Sequence, residues 1–221
     1  MSLRNLFMIA TTAIFTTASA HAAVLDANHS TTDDPNNNTG LGIVTTSLGQ
    51  TFTAIGNGIL DSISFSILNL SGTTDDVGFD VRGVDIGGNP NPLASSSLFS
   101  TSIANGDIGF FGPQPYAWSV IAVDVSSANI AVSAGDVLSF VLSSTLGNKF
   151  GVQTDYLDAY AGGARFSQNG DGTAFGSLST ADLTFSTTIT PAAVPLPASL
   201  PLLAVGFGAL GWLRSRKRQS A

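Results

Sequence analysis

The 221-residue chain contains no cysteine and no glutamate, and charged residues make up only 10% of it. Without cysteine there are no disulfides, thiolate metal ligands or cysteine nucleophiles. Globular proteins usually carry about 25% charged residues, and glutamate favours helix interiors. A sparsely charged chain whose 15 acidic residues are all Asp, with 24 Gly, predicts an all-β protein with many turns rather than a helical bundle.

The few charges are unevenly distributed along the chain. Five of the eight basic residues lie near the two termini, whereas all 15 aspartates lie between them. Only Arg82, Lys149 and Arg165 balance these aspartates, so the middle of the chain carries a charge of −12. Such a surface repels phosphate, which argues against nucleic acid as a partner.

The N-terminal segment has the features of a secretory signal peptide. One basic residue, Arg4, precedes an apolar run over residues 6–15, and the small-residue sequence A-S-A-H-A follows. A positive start, a short apolar run and overlapping A-x-A sites are typical of such peptides. We therefore predict that residues 1–22 are a signal peptide. The Sec translocon would export the chain, and signal peptidase would cut it after Ala20 or Ala22.

A second apolar segment lies near the C-terminus. Residues 198–213 carry no charge, and as a helix they would extend about 24 Å, just short of a bilayer core of about 30 Å. Their glycines disfavour a soluble helix but are tolerated in membranes. We predict a transmembrane helix over 198–213, with the Asp-rich domain outside the inner membrane. By the positive-inside rule, translocation stops at the basic tail over 214–218, which contains Arg214, Arg216, Lys217 and Arg218.

A proline motif stands directly before this apolar segment, and it consists of Val194, Pro195, Leu196, Pro197 and Ala198. Together with the apolar span, the basic tail and the signal peptide, the motif resembles the PEP-CTERM sorting signal in its VPLPA variant. The resemblance implies that residues 191–221 are recognised by an exosortase-type membrane protease, which cuts near the prolines. It also implies delivery to the cell surface or the extracellular matrix, usually alongside exopolysaccharide production.

Between the two terminal segments, the sequence shows the period of two that half-buried strands require. Apolar and polar residues alternate over residues 59–67, 77–82, 121–125, 138–142 and 183–189. Turn signals such as Asn57-Gly58 separate these runs. About eight strands at this spacing predict an antiparallel β-sandwich of jelly-roll type. We place this sandwich at residues 49–190, after a polar N-terminal arm and first strand at residues 23–48.

The order of several short elements in the middle domain is similar to that of small jelly-roll domains of bacterial surface proteins. The elements are Gln50-Thr-Phe52, the strand from Gly58 to Phe65, Ala134-Gly-Asp136, Tyr160-Ala-Gly-Gly163 and Asp182-Leu-Thr-Phe185. Their layout resembles that of carbohydrate-binding modules. This resemblance implies a sandwich fold and does not determine a function.

The chain has few residues suited to catalysis. His21 lies at the predicted cleavage region and His29 lies in the polar arm, so neither suggests a catalytic triad or a zinc site. Pairs of aspartates can hydrolyse glycosides, but chance pairs are expected among 15 turn-forming aspartates. We therefore predict no catalytic residue, no metal site and no enzymatic activity.

Aromatic residues near loops are the candidate contacts for a sugar. Aromatic rings pack on the C–H faces of sugars, and neighbouring polar groups bind the hydroxyls. The candidates are Phe111, Trp118, Tyr156 and Tyr160. Each could instead belong to the core, and for Trp118 this is the preferred interpretation.

Structural calcium is a candidate cofactor because several turns are rich in oxygen ligands. The two clusters are Asp33, Asp34, Asn36 and Asn38, and Asp155, Asp158, Asn169 and Asp171. Ordinary turn chemistry is the preferred explanation for both.

The leading hypothesis is an exported, non-catalytic β-sandwich protein. It would pass through an inner-membrane intermediate to the cell surface or matrix and have a structural or adhesive role linked to exopolysaccharide. A specific carbohydrate-binding module is the alternative, and an exported glycoside hydrolase is a less favoured one. A protein that keeps its C-terminal membrane anchor would differ from the leading hypothesis in retaining Ala221.

Overall fold

The computed structural model describes residues 22–29, 39–43, 47–70, 72, 74–84, 97–110, 118–145, 149–156, 160–168, 175–177 and 181–192. The predicted signal peptide up to residue 21, the proline motif, the transmembrane helix and the basic tail lie outside these residues. Within the described ranges, no helix is long and apolar enough to cross a membrane.

The regular structure of the described residues consists of fourteen strands and two short 3₁₀ turns at Asn105–Asp107 and Ser126–Ala128. The strands are β1 (Val24–His29), β2 (Thr39–Ile43), β3 (Ser47–Thr53), β4 (Gly58–Asn69), β5 (Val77–Gly83), β6 (Ser97–Ile103), β7 (Ser119–Asp124), β8 (Ala131–Val132), β9 (Val137–Ser143), β10 (Phe150–Asp155), β11 (Arg165–Gln168), β12 (Phe175–Ser177), β13 (Asp182–Leu183) and β14 (Phe185–Pro191).

These strands form two antiparallel sheets. Sheet A has the order β1-β14-β4-β10-β13, with β2 paired to β10 and with β7 and β8 paired to β4. Sheet B has the order β12-β11-β3-β9-β5-β6. Along the chain, β3, β4 and β5 lie in sheets B, A and B, β6 follows β5 within sheet B, and β7, β9, β10 and β11 lie in sheets A, B, A and B. The predicted all-β fold and antiparallel β-sandwich are confirmed.

The period-two runs of the sequence overlap strands of the sandwich. In β4, Ile63, Phe65 and Ile67 are buried while Ser64 and Ser66 between them remain partly exposed. This alternation is what a strand with one face on a core requires. The run over residues 183–189 is divided between β13 and β14, because the chain leaves the strand conformation at residue 184.

Strand β1 lies in the segment at residues 23–48, for which the sequence analysis predicted a polar arm and a first strand. It pairs with β14 in sheet A, from Val24 opposite Ile189 to His29 opposite Phe185. Its buried positions include Asp26 and His29, which are polar, so the strand lacks an apolar period. The sandwich therefore includes strand structure before residue 49.

Phenylalanine rings form the centre of the core. Phe65 and Phe185 come from sheet A, and Phe52, Phe79 and Phe140 come from sheet B. The ring centroids of Phe65 and Phe140 lie 5.8 Å apart, and those of Phe140 and Phe185 lie 5.7 Å apart. Burying one such side chain contributes about 1.5–3 kcal/mol. These rings therefore hold the two sheets face to face.

Two turns between strands use glycine in the left-handed region. Gly72 has φ +65° and Gly135 has φ +96°, which side chains with a Cβ rarely adopt. The Gly72 N–H donates to Asn69 Oδ1 at 3.0 Å, and the Ser133 N–H donates to Asp136 Oδ2 at 2.8 Å. The side chains of Asn69 and Asp136 therefore close these turns, which is a common role of asparagine and aspartate.

Candidate functional site

A polar bridge joins the two sheets inside the sandwich. Gln50 of β3 and Asp182 of β13 are both fully buried, and Gln50 Nε2 donates to Asp182 Oδ1 at 2.8 Å. The Leu183 N–H donates to Gln50 Oε1 at 2.9 Å, and Gln50 Nε2 also donates to the Thr51 carbonyl at 3.2 Å. A buried amide needs such partners to offset its desolvation. Sequence analysis named Gln50 and Asp182 only as the first residues of two elements of the jelly-roll resemblance, and it did not predict that they meet.

His29 lies beside this bridge, at the end of β1. Its Nε2 is 3.4 Å from Asp155 Oδ2, and the two side chains are only 6% and 5% exposed. Nε2 forms no hydrogen bond within the described part of the chain, so the contact has ion-pair distance without hydrogen-bond alignment. The imidazole also lies 6.0 Å from the ring of Tyr160. Sequence analysis found no role for His29, since its partners come from distant strands.

Tyr160, a predicted sugar contact, is half-buried against this cluster. Its hydroxyl accepts a hydrogen bond from the Thr53 N–H at 3.2 Å, and its own N–H donates to Asp182 Oδ2 at 3.3 Å. Its ring packs edge-on against the ring of Phe185, and the two ring centroids lie 5.1 Å apart. Burial raises the pKa of Tyr160 above its usual value of 10.0, and the negative charges of Asp26 and Asp182 also raise it, while the Thr53 hydrogen bond opposes them.

Tyr156, the second predicted tyrosine, is 44% exposed. The Arg165 guanidinium carbon lies 5.9 Å from its ring centroid, within the range of a cation–π contact. Arg165 is itself buried and donates through Nη1 to Thr154 Oγ1 at 3.3 Å. Burial lowers the pKa of Arg165, and the proximity of Tyr156 partly counteracts this effect. One face of the Tyr156 ring is therefore in contact with the protein's own cation.

The remaining predicted site residues are dispersed. Trp118 is half-buried just before β7, and Phe111 lies outside the described residues. Asp155 faces His29, but its proposed calcium-binding neighbours Asp158, Asn169 and Asp171 lie outside the described ranges, as does the cluster at residues 33–38. No group of three or more His, Cys, Asp or Glu side chains that could hold a metal occurs among the residues with described positions.

A shallow cleft of about 180 Å³ opens on the outer face of sheet A. It lies where β10 leaves β4 and β14 takes its place: β10 pairs with β4 only through Phe150–Val152, and β14 begins opposite Phe65. The lining residues are Asn28, His29, Ser64, Phe65, Ser66, Val120, Gln153, Thr184, Phe185 and Ser186. Sequence analysis noted the alternate serines of β4 only as its polar face, because the cleft is lined by five separate segments of the chain.

The geometry thus offers two polar regions of different kinds. The cluster around Gln50 and Asp182 is enclosed between the sheets, whereas the cleft on sheet A is open to a ligand. No protein-family model matches the chain, and no curated protein matches it significantly.

Proposed function

We propose that this protein is an exported, non-catalytic β-sandwich that an exosortase-type protease sorts from the inner membrane to the cell surface or extracellular matrix. Its role there is structural or adhesive and is linked to exopolysaccharide. The proposal is carried by the order of elements at the end of the chain. The last strand ends at Pro191, and the VPLPA motif, the apolar span and the basic tail follow from residue 194.

The prolines of the motif favour an extended segment between the last strand and the apolar span. The Ala192 N–H donates to the Asn57 carbonyl at 3.2 Å, which is the last backbone hydrogen bond described along the chain. Pro195 and Pro197 have no N–H and disfavour helix in the residue before them, so the motif favours an extended backbone. A protease in the same membrane requires an extended segment between a folded domain and an anchor.

The aspartates of the sandwich support a non-catalytic role. Asp124 Oδ1 accepts hydrogen bonds from the Ser126 hydroxyl at 2.7 Å and the Ser126 N–H at 2.9 Å, and both bonds lower the pKa of Asp124. Asp136 and Asp76 accept bonds from the backbone N–H groups of Ser133 and Asn105. These carboxylates stabilise turns, which is a common role of aspartate in an all-β protein.

Mass spectrometry of the mature chain tests the sorting proposal. In exosortase-containing cells, the wild-type protein should lose the tail after the motif, whereas the Pro195→Ala/Pro197→Ala variant should retain Ala221. Pro191→Ala is the matched control, because it changes a proline outside the motif and should be processed normally. Retention of Ala221 by the wild-type protein in these cells would contradict the proposal.

Carbohydrate binding is the second candidate function, and the exposed ring of Tyr156 favours it. With Arg165 against one face, the ring is held in place and its other face could stack on a sugar. A glycan array with Tyr156→Ala and Tyr160→Ala variants tests this site. Binding that survives both substitutions would remove the tyrosines from the site.

A further inference from the structure

We infer that the cleft on sheet A is a subsite for a neutral polysaccharide. Its recognition surface is a row of side chains that crosses three strands. Asn28 of β1 is opposite Ser186 of β14, which in turn is opposite Ser64 of β4. At a strand spacing of about 4.8 Å, this row is about 10 Å long, which is comparable to the length of a disaccharide.

The lining chemistry selects an uncharged ligand. Six of the ten described residues that line the cleft carry neutral hydroxyl or amide side chains, and none of these ten is Asp, Glu, Lys or Arg. The only ionisable side chain among them is His29, which is buried and faces Asp155. Among these described lining residues, an anionic ligand would find no fixed cation and a metal ion would find no carboxylate. Since the chain has 15 aspartates, this neutrality is a property of the cleft and not of the composition.

Hydroxyl and amide groups match the hydrogen bonding of sugars. Each lining hydroxyl can donate and accept, as each sugar hydroxyl can. Ser64 and Ser186 form no side-chain hydrogen bond to another residue within the described part of the chain. By contrast, the hydroxyls of Ser62 and Thr188, the neighbouring pair on the same face, lie 2.7 Å apart and bond to each other. The serine pair in the cleft therefore has hydroxyls available to a ligand.

An apolar contact completes the subsite. Val120 of β7 is opposite Ser66 and is 73% exposed, the largest exposure among the large apolar side chains described. An aliphatic side chain beside a hydroxyl row can pack on the C–H face of a sugar ring while the hydroxyls bond to the polar groups. This arrangement gives a reason for an exposed valine near the start of β7.

The size of the cleft indicates a polymer rather than a free sugar. Pockets for drug-sized ligands measure about 300–1,000 Å³, and this cleft measures about 180 Å³. Such a site holds a short stretch of a chain weakly, and a polymer with many identical repeats offers this single site many equivalent places to bind. The choice of a matrix polymer rests on the proposed function, whereas the neutral subsite rests on the cleft alone.

Affinity electrophoresis and calorimetry with the full chain test the inference. The protein is held in a detergent without a sugar headgroup, and the probes are dextran, galactomannan and cellohexaose, with alginate as an anionic control. We expect binding to at least one neutral probe and none to alginate. The Ser64→Ala/Ser186→Ala variant should bind about tenfold more weakly, as expected for two net hydrogen bonds.

A matched control variant removes two serine hydroxyls from the other sheet. Ser100→Ala/Ser102→Ala removes two exposed hydroxyls from β6 of sheet B and should leave affinity unchanged. Equal thermal unfolding of all variants shows that the fold is intact. The inference is overturned if the protein binds none of the neutral probes. It is also overturned if the Ser64→Ala/Ser186→Ala variant still binds and the Tyr156→Ala variant does not. These outcomes are independent of C-terminal processing, so they are distinguishable from a failure of the sorting proposal.

Discussion

Gln50→Glu replaces an amide by a carboxyl of the same shape in the bridge between the sheets. In the wild-type protein, Gln50 Nε2 donates to Asp182 Oδ1 at 2.8 Å, and both residues are fully buried. The substitution removes this donor and brings two carboxyl groups to hydrogen-bond distance. Two carboxylates that share a buried site cannot both ionise without a large cost. We therefore expect a large loss in the free energy of unfolding at neutral pH.

The magnitude follows from the pKa of the introduced carboxyl. Burial and a neighbouring carboxylate raise such a pKa by about 3 units, and each unit corresponds to about 1.4 kcal/mol. The expected loss at neutral pH is about 4 kcal/mol, a large share of a total stability of about 5–15 kcal/mol. Because the folded chain holds this proton to a higher pH than the unfolded chain, the loss becomes smaller as pH falls toward about 4.

Urea unfolding followed by circular dichroism at about pH 7 and about pH 4.5 measures this loss. Gln153→Glu is the matched control, since Gln153 is half-buried in sheet A and its side-chain oxygen lies 3.4 Å from the Thr184 hydroxyl. It should change stability by less than about 1 kcal/mol at either pH. If Gln50→Glu lost the same free energy at both pH values relative to wild type, or lost more at the acidic one, the reasoning would be refuted.

Three further predictions concern the same sandwich. In thermal unfolding, Gly163→Ala should destabilise the protein by at least about 1–3 kcal/mol, because the new Cβ would lie 1.9 Å from the Thr51 carbonyl oxygen. Gly106→Ala is the control and should have little effect in this assay, because its new Cβ would have nothing within 4 Å. Phe140→Ala should cost about 3–5 kcal/mol in urea unfolding, whereas Phe110→Ala, 58% exposed, should cost far less. Ultraviolet titration should find one phenol, absent in Tyr160→Phe, that ionises above pH 10.0. Its contribution to stability is complete below about pH 10 and is lost as pH rises through the raised pKa of the folded state.

Local sequence was enough to predict which side chains of a strand face the core. The positions of Ile63, Phe65 and Ile67 at alternate residues place all three on one side of any strand, and all three are buried. The partners of each strand could not be predicted in the same way. Gln50 and Asp182 are 132 residues apart, and no local pattern indicates that their strands meet. His29 was missed for the same reason.

The sorting motif and the cleft differ in how far each can be recognised from the sequence alone. A protease reads the VPLPA motif as a linear segment, so consecutive residues carry the whole signal. The cleft combines Asn28, Ser64 and Ser186, which only strand pairing brings together. A serine on the polar face of a strand is also the ordinary residue there. Its role in a subsite therefore becomes visible only when its cross-strand neighbours are known.

The register of β1 and β14 relates the sandwich to both predicted cuts. Val24 pairs with Ile189, so the first and last strands lie side by side in sheet A. Cleavage after Ala20 or Ala22 would leave β1 complete, and cleavage in the motif from Val194 would leave β14 complete. Strand β1 supplies Asn28 and His29 to the lining of the cleft, and the buried side chain of His29 also belongs to the cluster around Asp155. Cuts at these positions would therefore release a domain that keeps both polar regions, whereas a cut only a few residues further inward would remove a wall of the cleft.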